Sequence, residues 1–136
     1  MMNVLVIDGQ GGGIGKQLVS AMKAAIPQAV ITAVGTSSSA TAAMLKAGAD
    51  HAATGENAVI VGCRKADIIV GPVGIAIVDS LLGEVTPAIA IAIGQSSAKK
   101  VLIPINQCDN IIVGVPDLSV VKLIQNTIEK IQSFMK

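Results

Sequence analysis

The stretch N-V-L-V-I-D-G-Q-G-G-G-I-G-K, residues 3–16, decides the fold of this 136-residue chain. Its first five residues form a short β-branched run, which is typical of a strand buried on both faces of a sheet. Asp8 and a glycine-rich turn follow at once. From Ile14 to Ile26 the apolar residues recur at helical spacing, and Pro27 then stops the helix. The stretch therefore predicts a strand, a glycine-rich turn and a helix in direct succession.

The alternation of strand and helix continues along the rest of the chain. Further strands are predicted at residues 29–34, 50–53, 67–70, 101–105 and 111–115, and further helices at 40–47, 56–65, 73–82, 87–94 and 118–135. Thr54 and Asp117 are the predicted N-caps of the third helix and the last helix of the chain. Such alternation favours a parallel sheet flanked by helices. We therefore predict a single α/β domain over residues 1–136, Rossmann-like, with a mainly parallel sheet of five or six strands.

The strand ends indicate where a ligand would bind. Right-handed crossovers place the ends of five strands, at Asp8, Thr36, Ala53, Gly71 and Asn106, along one edge of the sheet. Open α/β folds bind ligands outside this edge, in the crevice where the strand order reverses. In the order three-two-one-four the first and fourth strands border that crevice. A site is therefore expected beside the first and fourth strands.

The glycine-rich turn is the main candidate site. Glycine permits a positive φ and a close approach to the backbone, while the free N–H groups at a helix start favour a phosphate. Tight packing of helix on strand is the alternative, but four glycines in five positions exceed what packing needs. A lone carboxylate at the strand end is more often a brace for the turn than a catalyst. The candidate binding residues here are Asp8, Gly9, Gln10, Gly11, Gly12, Gly13, Ile14 and Gly15.

Two further groups follow the second and fourth strands. The hydroxyls of Thr36, Ser37 and Ser38 could donate to a 2′-phosphate, which fits NADP better than NAD, or could equally cap the second helix. Gly71, Pro72 and Gly74 could leave space for a ribose or nicotinamide, or only shape a strand-to-helix turn. Asn106 and Gln107, which are polar, could belong to the site or to a turn.

The turn resembles a motif of one large enzyme family over about one βαβ unit. Residues 9–15 fit the G-x-x-x-G-I-G turn of short-chain dehydrogenases and reductases. That family implies a Tyr-x-x-x-Lys catalytic pair, and this chain has no Tyr, so its chemistry does not carry over. Residues 12–17 also imitate the end of a P-loop, but Gln17 stands where a Ser or Thr must bind Mg²⁺. A nucleotide triphosphatase is therefore not expected.

Four segments together resemble a second family over nearly the whole chain. These are D-G-Q-G-G-G-I-G-K, T-A-A-M-L-K-A-G-A-D, A-T-G-E-N-A and A-D-I-I-V-G-P. They are similar to a family of short bacterial proteins known only as a domain of unknown function. The resemblance supports the fold and implies no activity, cofactor or catalytic residue.

Composition and charge exclude several classes of function. The net charge is +1, only 14% of the residues are charged and 51% are hydrophobic, so neither a nucleic-acid footprint nor a membrane-binding surface is indicated. One Phe, without Trp or Tyr, removes the stacking platforms that single-stranded nucleic acid needs. Two isolated cysteines and one histidine make a metal site improbable. Residues 1–7 lack the features of a signal peptide, so a cytoplasmic location is expected.

The sequence thus predicts a protein that binds a nucleotide or dinucleotide, NADP, NAD or another phosphate-containing small molecule, as a sensor or accessory subunit. One alternative is a small oligomeric enzyme acting on a phosphorylated ligand, with Asp8, Lys16 and His51 as the residues that could supply chemistry. Another is a structural or interaction protein without a ligand. The predicted helices 73–82 and 87–94 are apolar on nearly every face, which predicts a homodimer or higher homo-oligomer joined through them. The alternative is a buried pair in a monomer.

Overall fold

The structure is a computed structural model, and it describes residues 2–105 and 110–135. Its strands are β1 (Asn3–Asp8), β2 (Val30–Gly35), β3 (His51–Thr54), β4 (Ile68–Pro72) and β5 (Lys99–Ile103). Its helices are α1 (Gly13–Ala25), α2 (Ser38–Lys46), α3 (Glu56–Lys65), α4 (Pro87–Gln95) and α5 (Val120–Ser133). A single turn of 3-10 helix, Val73–Ala76, follows β4.

The five strands form one parallel sheet in the order β3-β2-β1-β4-β5. The predicted Rossmann-like α/β fold is confirmed, as is the order three-two-one-four of its first strands. The chain moves outward from β1 to β3 and then crosses back to β4, so the strand order reverses between β1 and β4. Asp8 ends β1 directly opposite Gly35 at the end of β2.

Strand β1 is buried on both faces because helices cover the sheet on each side. Val4 and Val6 point into an apolar cluster with α1, α2 and α5. Leu5 and Ile7 point the other way, into a cluster with α3, α4 and the chain between β4 and α4. The alternation continues to Asp8, which therefore faces α1. None of the described helices combines the length and apolarity needed to cross a membrane.

The predicted helix over 73–82 is wrong beyond its first turn. Only residues 73–76 are helical, and a compact turn over residues 77–85 connects them to α4. Asp79, Leu81 and Leu82 have φ values of 68°, 57° and 56°, in the left-handed region that a right-handed helix cannot contain. This backbone path turns Leu81 into the core, where it is buried. The apolar composition of the segment reflects that burial.

The predicted strand over 111–115 is also wrong. Residues 110–119 have no strand partner, and Ile111 and Val113 are almost fully exposed. Gly114, with φ 84°, breaks the extended path within the segment. Residues 111–115 are thus mostly β-branched, as in a strand, but they do not pair with a neighbouring strand and so do not form one.

Two of the predicted helix caps differ as well. Gly55, with φ 104°, precedes α3, and Thr54 instead ends β3 with its hydroxyl 2.7 Å from that of Thr41. The N-cap of α5 is Ser119, whose hydroxyl accepts from the N–H of Lys122. Each predicted cap misses the true one by one or two residues.

Helix α4 begins as predicted, with Thr86 as its N-cap and Pro87 at its first position. Ile89 and Ile93 pack into the core. Ile91 lies on the opposite side of α4 and is 54% exposed. In the preceding turn Val78 and Leu82 are exposed too, by 45% and 94%. The two predicted helical segments are therefore buried on one side and apolar on their outer side.

Gly71 gives a test of the packing between β1 and β4. A methyl group at this position would overlap the backbone carbonyl oxygen of Ile7, which cannot move without disturbing the sheet. We expect Gly71→Ala to lower the free energy of unfolding by at least about 1–3 kcal/mol. Gly94→Ala is the matched control, because that helical glycine has open space around it, and alanine there should raise the free energy of unfolding by roughly 0.5–1 kcal/mol. Urea unfolding measures the free energy of unfolding of both variants. If Gly71→Ala is as stable as wild type, the close packing of Gly71 against Ile7 is contradicted.

Candidate functional site

The carboxylate of Asp8 organises the glycine-rich turn. The residue is buried, with 4% of its surface exposed, at the end of β1. Its Oδ1 accepts a hydrogen bond from the N–H of Gly9 at 2.8 Å, and its Oδ2 accepts one from the N–H of Gly15 at 2.7 Å. One side chain thus ties the first residue of the turn to the first turn of α1. This is the bracing role considered for Asp8 in the sequence.

Burial raises the pKa of the Asp8 carboxyl above its ordinary value, because the charged form loses its water. Hydrogen bonds from the N–H groups of Gly15, Gly9 and Ile14 oppose the shift, and the negative charge of Glu84 adds to it. The hydrogen bonds of the Asp8 carboxylate therefore do not fully offset the free energy that its burial costs.

Three of the loop glycines are explained by packing inside the chain. Gly9, Gly12 and Gly15 are all buried. A methyl group on Gly9 would come within 2.6 Å of Glu84 Oε1, and one on Gly12, whose φ is 72°, would meet the backbone of Ala40. A methyl group on Gly15 would lie 2.9 Å from Asp8 Cβ, so this glycine lets α1 approach β1 closely.

Gly11 and Gly13 are not explained in this way. Both are exposed, and a methyl group on either would have no atom within 4 Å. Neither has a positive φ, and the N–H of neither is hydrogen-bonded to a described residue. Gly13 is also the first residue of α1, where free N–H groups and the helix dipole attract negative charge. These two positions form the open face of the turn.

Glu84, which is not among the residues predicted for the site, holds the turn at Gln10. Its Oε1 accepts from the N–H of Gln10 at 2.8 Å and from the hydroxyl of Thr36 at 2.6 Å. It reaches the turn from residues 77–85, the segment predicted as a helix. The available signal was its isolation: Asp79 and Glu84 are the only charged residues between residues 68 and 98.

The hydroxyl residues after β2 lie beside the turn, but two of their hydroxyls are engaged. Thr36 donates to Glu84, as described above. Ser37 donates to the carbonyl oxygen of Gln10 at 2.6 Å and accepts from the N–H of Ala40, so it is the N-cap of α2. Ser38 is the first residue of α2 and is exposed. Ligand binding by these three residues stays a prediction.

The glycines after β4 are enclosed by protein. Gly71 and Pro72 are the last residues of β4, and Gly74 lies in the following 3-10 turn; all three are buried. Gly71 packs against the backbone of Ile7. A packing role is evident for Gly71, and a binding role for the three stays a prediction. Asn106 and Gln107 lie outside the described residues.

The three residues considered for catalysis do not share a site. Asp8 faces α1 beneath the glycine turn. Lys16 lines a groove of about 740 Å³ between α1, α2 and α5, together with Lys46. His51 lines a groove of about 450 Å³ on the α3 side of the sheet. Within residues 2–105 and 110–135, no three His, Cys, Asp or Glu side chains form a group that could hold a metal ion.

The site as described combines two chemically different parts. One part presents hydrogen-bond acceptors, the carboxylates of Asp8 and Glu84, at the ends of β1 and β2. The other is the exposed backbone at Gly11 and Gly13, which can donate to an anion. The side chains of described residues that hydrogen-bond the turn's backbone are Asp8, Gln17, Ser37 and Glu84, none of them cationic.

A family model now identifies the chain. It carries the description domain of unknown function, DUF3842, and it matches residues 3–136. The chain belongs to this family. The resemblance inferred from the four sequence segments is thereby confirmed. No curated protein matches the chain.

Among solved structures, the chain is similar to a dodecameric FMN-dependent Ubix-like decarboxylase from Escherichia coli O157:H7. The two are 14% identical, the match covers 99% of this chain and 94% of that chain, and the TM-score is 0.47.

Asp8 should make the stability of the protein depend on pH in a defined direction. Because its pKa is raised on folding, the native state binds the proton more tightly. Its contribution to the free energy of unfolding therefore falls as the pH rises from 3.8, the unfolded value, through the folded value. Asp8→Asn should destabilise the protein by about 1–3 kcal/mol, since the amide NH₂ would face an N–H donor.

Urea unfolding of wild type and Asp8→Asn, from acid to neutral pH, measures both effects. The stability difference between them should be largest at the acid end and should narrow as the pH rises. A difference that widens with pH would mean that the hydrogen bonds from Gly9 and Gly15 outweigh burial.

Proposed function

We propose that this protein binds a nucleotide or dinucleotide through the glycine-rich turn and acts as a sensor or accessory subunit. The observation that carries the proposal is the open face at Gly11 and Gly13. Packing accounts for the three buried glycines and leaves these two unexplained. Their backbone lies at the carboxyl edge of the sheet, beside the point where the strand order reverses, which is where open α/β folds bind ligands. A phosphate at the first residue of α1 would meet free N–H groups and the helix dipole.

The site favours binding over catalysis in this proposal. Asp8, Lys16 and His51 occupy three different surroundings, so they do not support the enzyme alternative. Asp8 is engaged by two backbone N–H groups, which keeps its carboxylate from serving as a free base.

The interaction-protein alternative has one observation in its favour. Glu84 already satisfies the N–H of Gln10, and Asp8 satisfies those of Gly9 and Gly15. A ligand therefore finds part of the turn occupied by the chain's own carboxylates. A binding experiment separates this alternative from the proposal.

Gly13→Val tests the proposal without disturbing the fold, because the added side chain meets no protein atom at its Cβ. The wild-type protein is titrated by calorimetry with ATP, GTP, NAD, NADP, FMN and coenzyme A. A ligand that binds the turn should bind Gly13→Val at least about tenfold more weakly, since the valine side chain covers the backbone that the phosphate approaches. A thermal-shift screen should agree, because a ligand at 100 times its dissociation constant stabilises by about 2.7 kcal/mol.

Gly94→Val is the matched control, since Gly94 is also helical and open but lies at the far end of α4. It should bind the same ligand as tightly as wild type. Unchanged affinity in Gly13→Val, or no binding by the wild type to any of the six compounds, would overturn the proposal.

We also propose that the protein is a homo-oligomer, in its simplest form a two-fold dimer. Val78, Leu82 and Ile91 place exposed apolar side chains on one stretch of chain, from the turn over 77–85 into α4. Exposed apolar patches are typical of interfaces. The inner sides of these segments are already buried, so the contact would use their outer sides.

Ile91→Asp should convert the oligomer to a monomer. The side chain is 54% exposed, so a carboxylate there is tolerated in the folded chain and repels its copy across a two-fold contact. Sedimentation equilibrium at micromolar concentration should give a multiple of 13.7 kDa for wild type and a mass near 13.7 kDa for the variant. A wild-type mass near 13.7 kDa would remove the claim.

A further inference from the structure

The end of β2 is the place in dinucleotide-binding folds where an acidic residue accepts a hydrogen bond from a ribose hydroxyl. In this chain the residues at that place are Thr36, Ser37 and Ser38, which contain no acid. Glu84 brings a carboxylate there from a different element, the turn after β4. Its Oε1 is 2.6 Å from the hydroxyl oxygen of Thr36. The fold thus supplies at the end of β2 the group that the local sequence lacks.

The position of this carboxylate is fixed from several directions. Its Oε1 is held by the N–H of Gln10 and the hydroxyl of Thr36. The turn that carries it is closed by its own backbone bonds, from Asp79 N–H to the carbonyl of Val85 at 2.7 Å and from Gly83 N–H to that of Asp79 at 3.1 Å. Leu81 and Val85 anchor it in the core. Glu84 is therefore positioned before any ligand arrives.

The second oxygen of Glu84 is available to a ligand. Glu84 is half-buried, and its Oε2 makes no hydrogen bond with any residue in the described ranges. An ionised carboxylate only accepts hydrogen bonds, so the natural partner of Oε2 is a donor such as a hydroxyl. A ribose offers two neighbouring hydroxyls on the side of the nucleotide away from its 5′-phosphate.

The same contacts engage two of the three hydroxyls that a 2′-phosphate could use; the third, that of Ser38, is exposed. Each hydroxyl has one proton to donate; Thr36 gives its proton to Glu84, and Ser37 gives its proton to the carbonyl of Gln10. A 2′-phosphate placed here would face the negative charge of Glu84 with these two donors already engaged. This reverses the preference for NADP that the hydroxyls alone suggested.

We propose that Glu84 is the specificity-determining residue of the nucleotide site: its carboxylate accepts a hydrogen bond from a ribose hydroxyl and selects ligands with a free 2′-hydroxyl over 2′-phosphorylated ones. This inference rests on the proposed nucleotide-binding function. It predicts the ligand class as a ribonucleotide whose 5′-phosphate lies toward Gly13 and whose ribose lies toward Glu84.

Two matched pairs of probes test the selection at the 2′ position, ATP with 2′-deoxy-ATP and NAD with NADP. Calorimetric titration of the wild-type protein should show the 2′-hydroxyl member of a pair binding roughly tenfold to a hundredfold more tightly, as expected for one hydrogen bond to a charged group. The quantity compared between variants is the ratio of dissociation constants within a pair. A general loosening of the turn would change the dissociation constants of both members and leave their ratio unchanged.

Glu84→Gln keeps the shape of the side chain and removes its charge. It should reduce the ratio within each pair that binds to about threefold or less, because it weakens the binding of ATP and NAD and improves the binding of NADP. Asp79→Asn is the matched control: it removes an exposed carboxylate from the same turn, and asparagine tolerates the left-handed backbone at φ 68°. Its ratio should equal that of wild type.

The outcomes distinguish the role of Glu84 from the proposed binding of a nucleotide. If the wild type binds but does not discriminate, or if Glu84→Gln retains the wild-type ratio, the role of Glu84 is overturned and the nucleotide site stands. If Glu84→Gln binds all probes more tightly by the same factor, Glu84 competes with the ligand for the turn, which also overturns its role. If neither the wild type nor Glu84→Gln binds any of the four probes, the selection fails, and the nucleotide-binding proposal fails with it when the wild type also binds none of GTP, FMN and coenzyme A.

Discussion

The buried carboxylate of Asp8 is the constraint on which the rest of this structure depends. A charged group removed from water must be satisfied by hydrogen bonds, or it destabilises the fold by several kcal/mol. Asp8 meets this requirement with the N–H groups of Gly9 and Gly15, which lie six residues apart. The turn between them has to wind around one side chain. The close approach of α1 to β1, and the glycines at 9, 12 and 15, follow from that path.

The same constraint decides which part of the turn is left for a ligand. The carboxylate oxygens of Asp8 accept hydrogen bonds from N–H groups at both ends of the turn, and Glu84 accepts one from the N–H of Gln10. What remains open is the middle, at Gly11 and Gly13, where the backbone is exposed. A phosphate bound as we propose would meet free N–H groups in the middle of the turn and the negative charge of Glu84 at the end of β2. In the proposed site this arrangement would set the direction of a nucleotide, with its phosphate toward the middle of the turn and its sugar toward Glu84.

Most of the fold could be predicted from sequence because β1 and α1 are encoded locally, in β-branched runs, helical periodicity and glycine or proline stops. The alternation of strand and helix, with right-handed crossovers, then restricts the sheet order. The errors fall where local pattern and tertiary context disagree. Residues 73–82 are apolar because Leu81 and Ile75 are buried, and composition alone does not distinguish a buried turn from a buried helix. The sequence predicts the glycine turn correctly as a strand-to-helix turn, but it does not indicate Glu84, because 74 residues separate Glu84 from Gln10. No linear motif encodes a contact over such a distance.

The turn over residues 77–85 shows how core packing sets the polarity of a surface site. Three residues other than glycine, Asp79, Leu81 and Leu82, hold left-handed backbone conformations, each at a cost of order 1–3 kcal/mol. Burial of Leu81 and Val85 contributes about 1.5–3 kcal/mol for each side chain, which acts against this strain. The carboxylate of Glu84 is thus held at the end of β2 both by the burial of Leu81 and Val85 and by its own two hydrogen bonds. We therefore expect a change in the core beneath this turn to shift the Glu84 carboxylate, even though no residue at the end of β2 is changed.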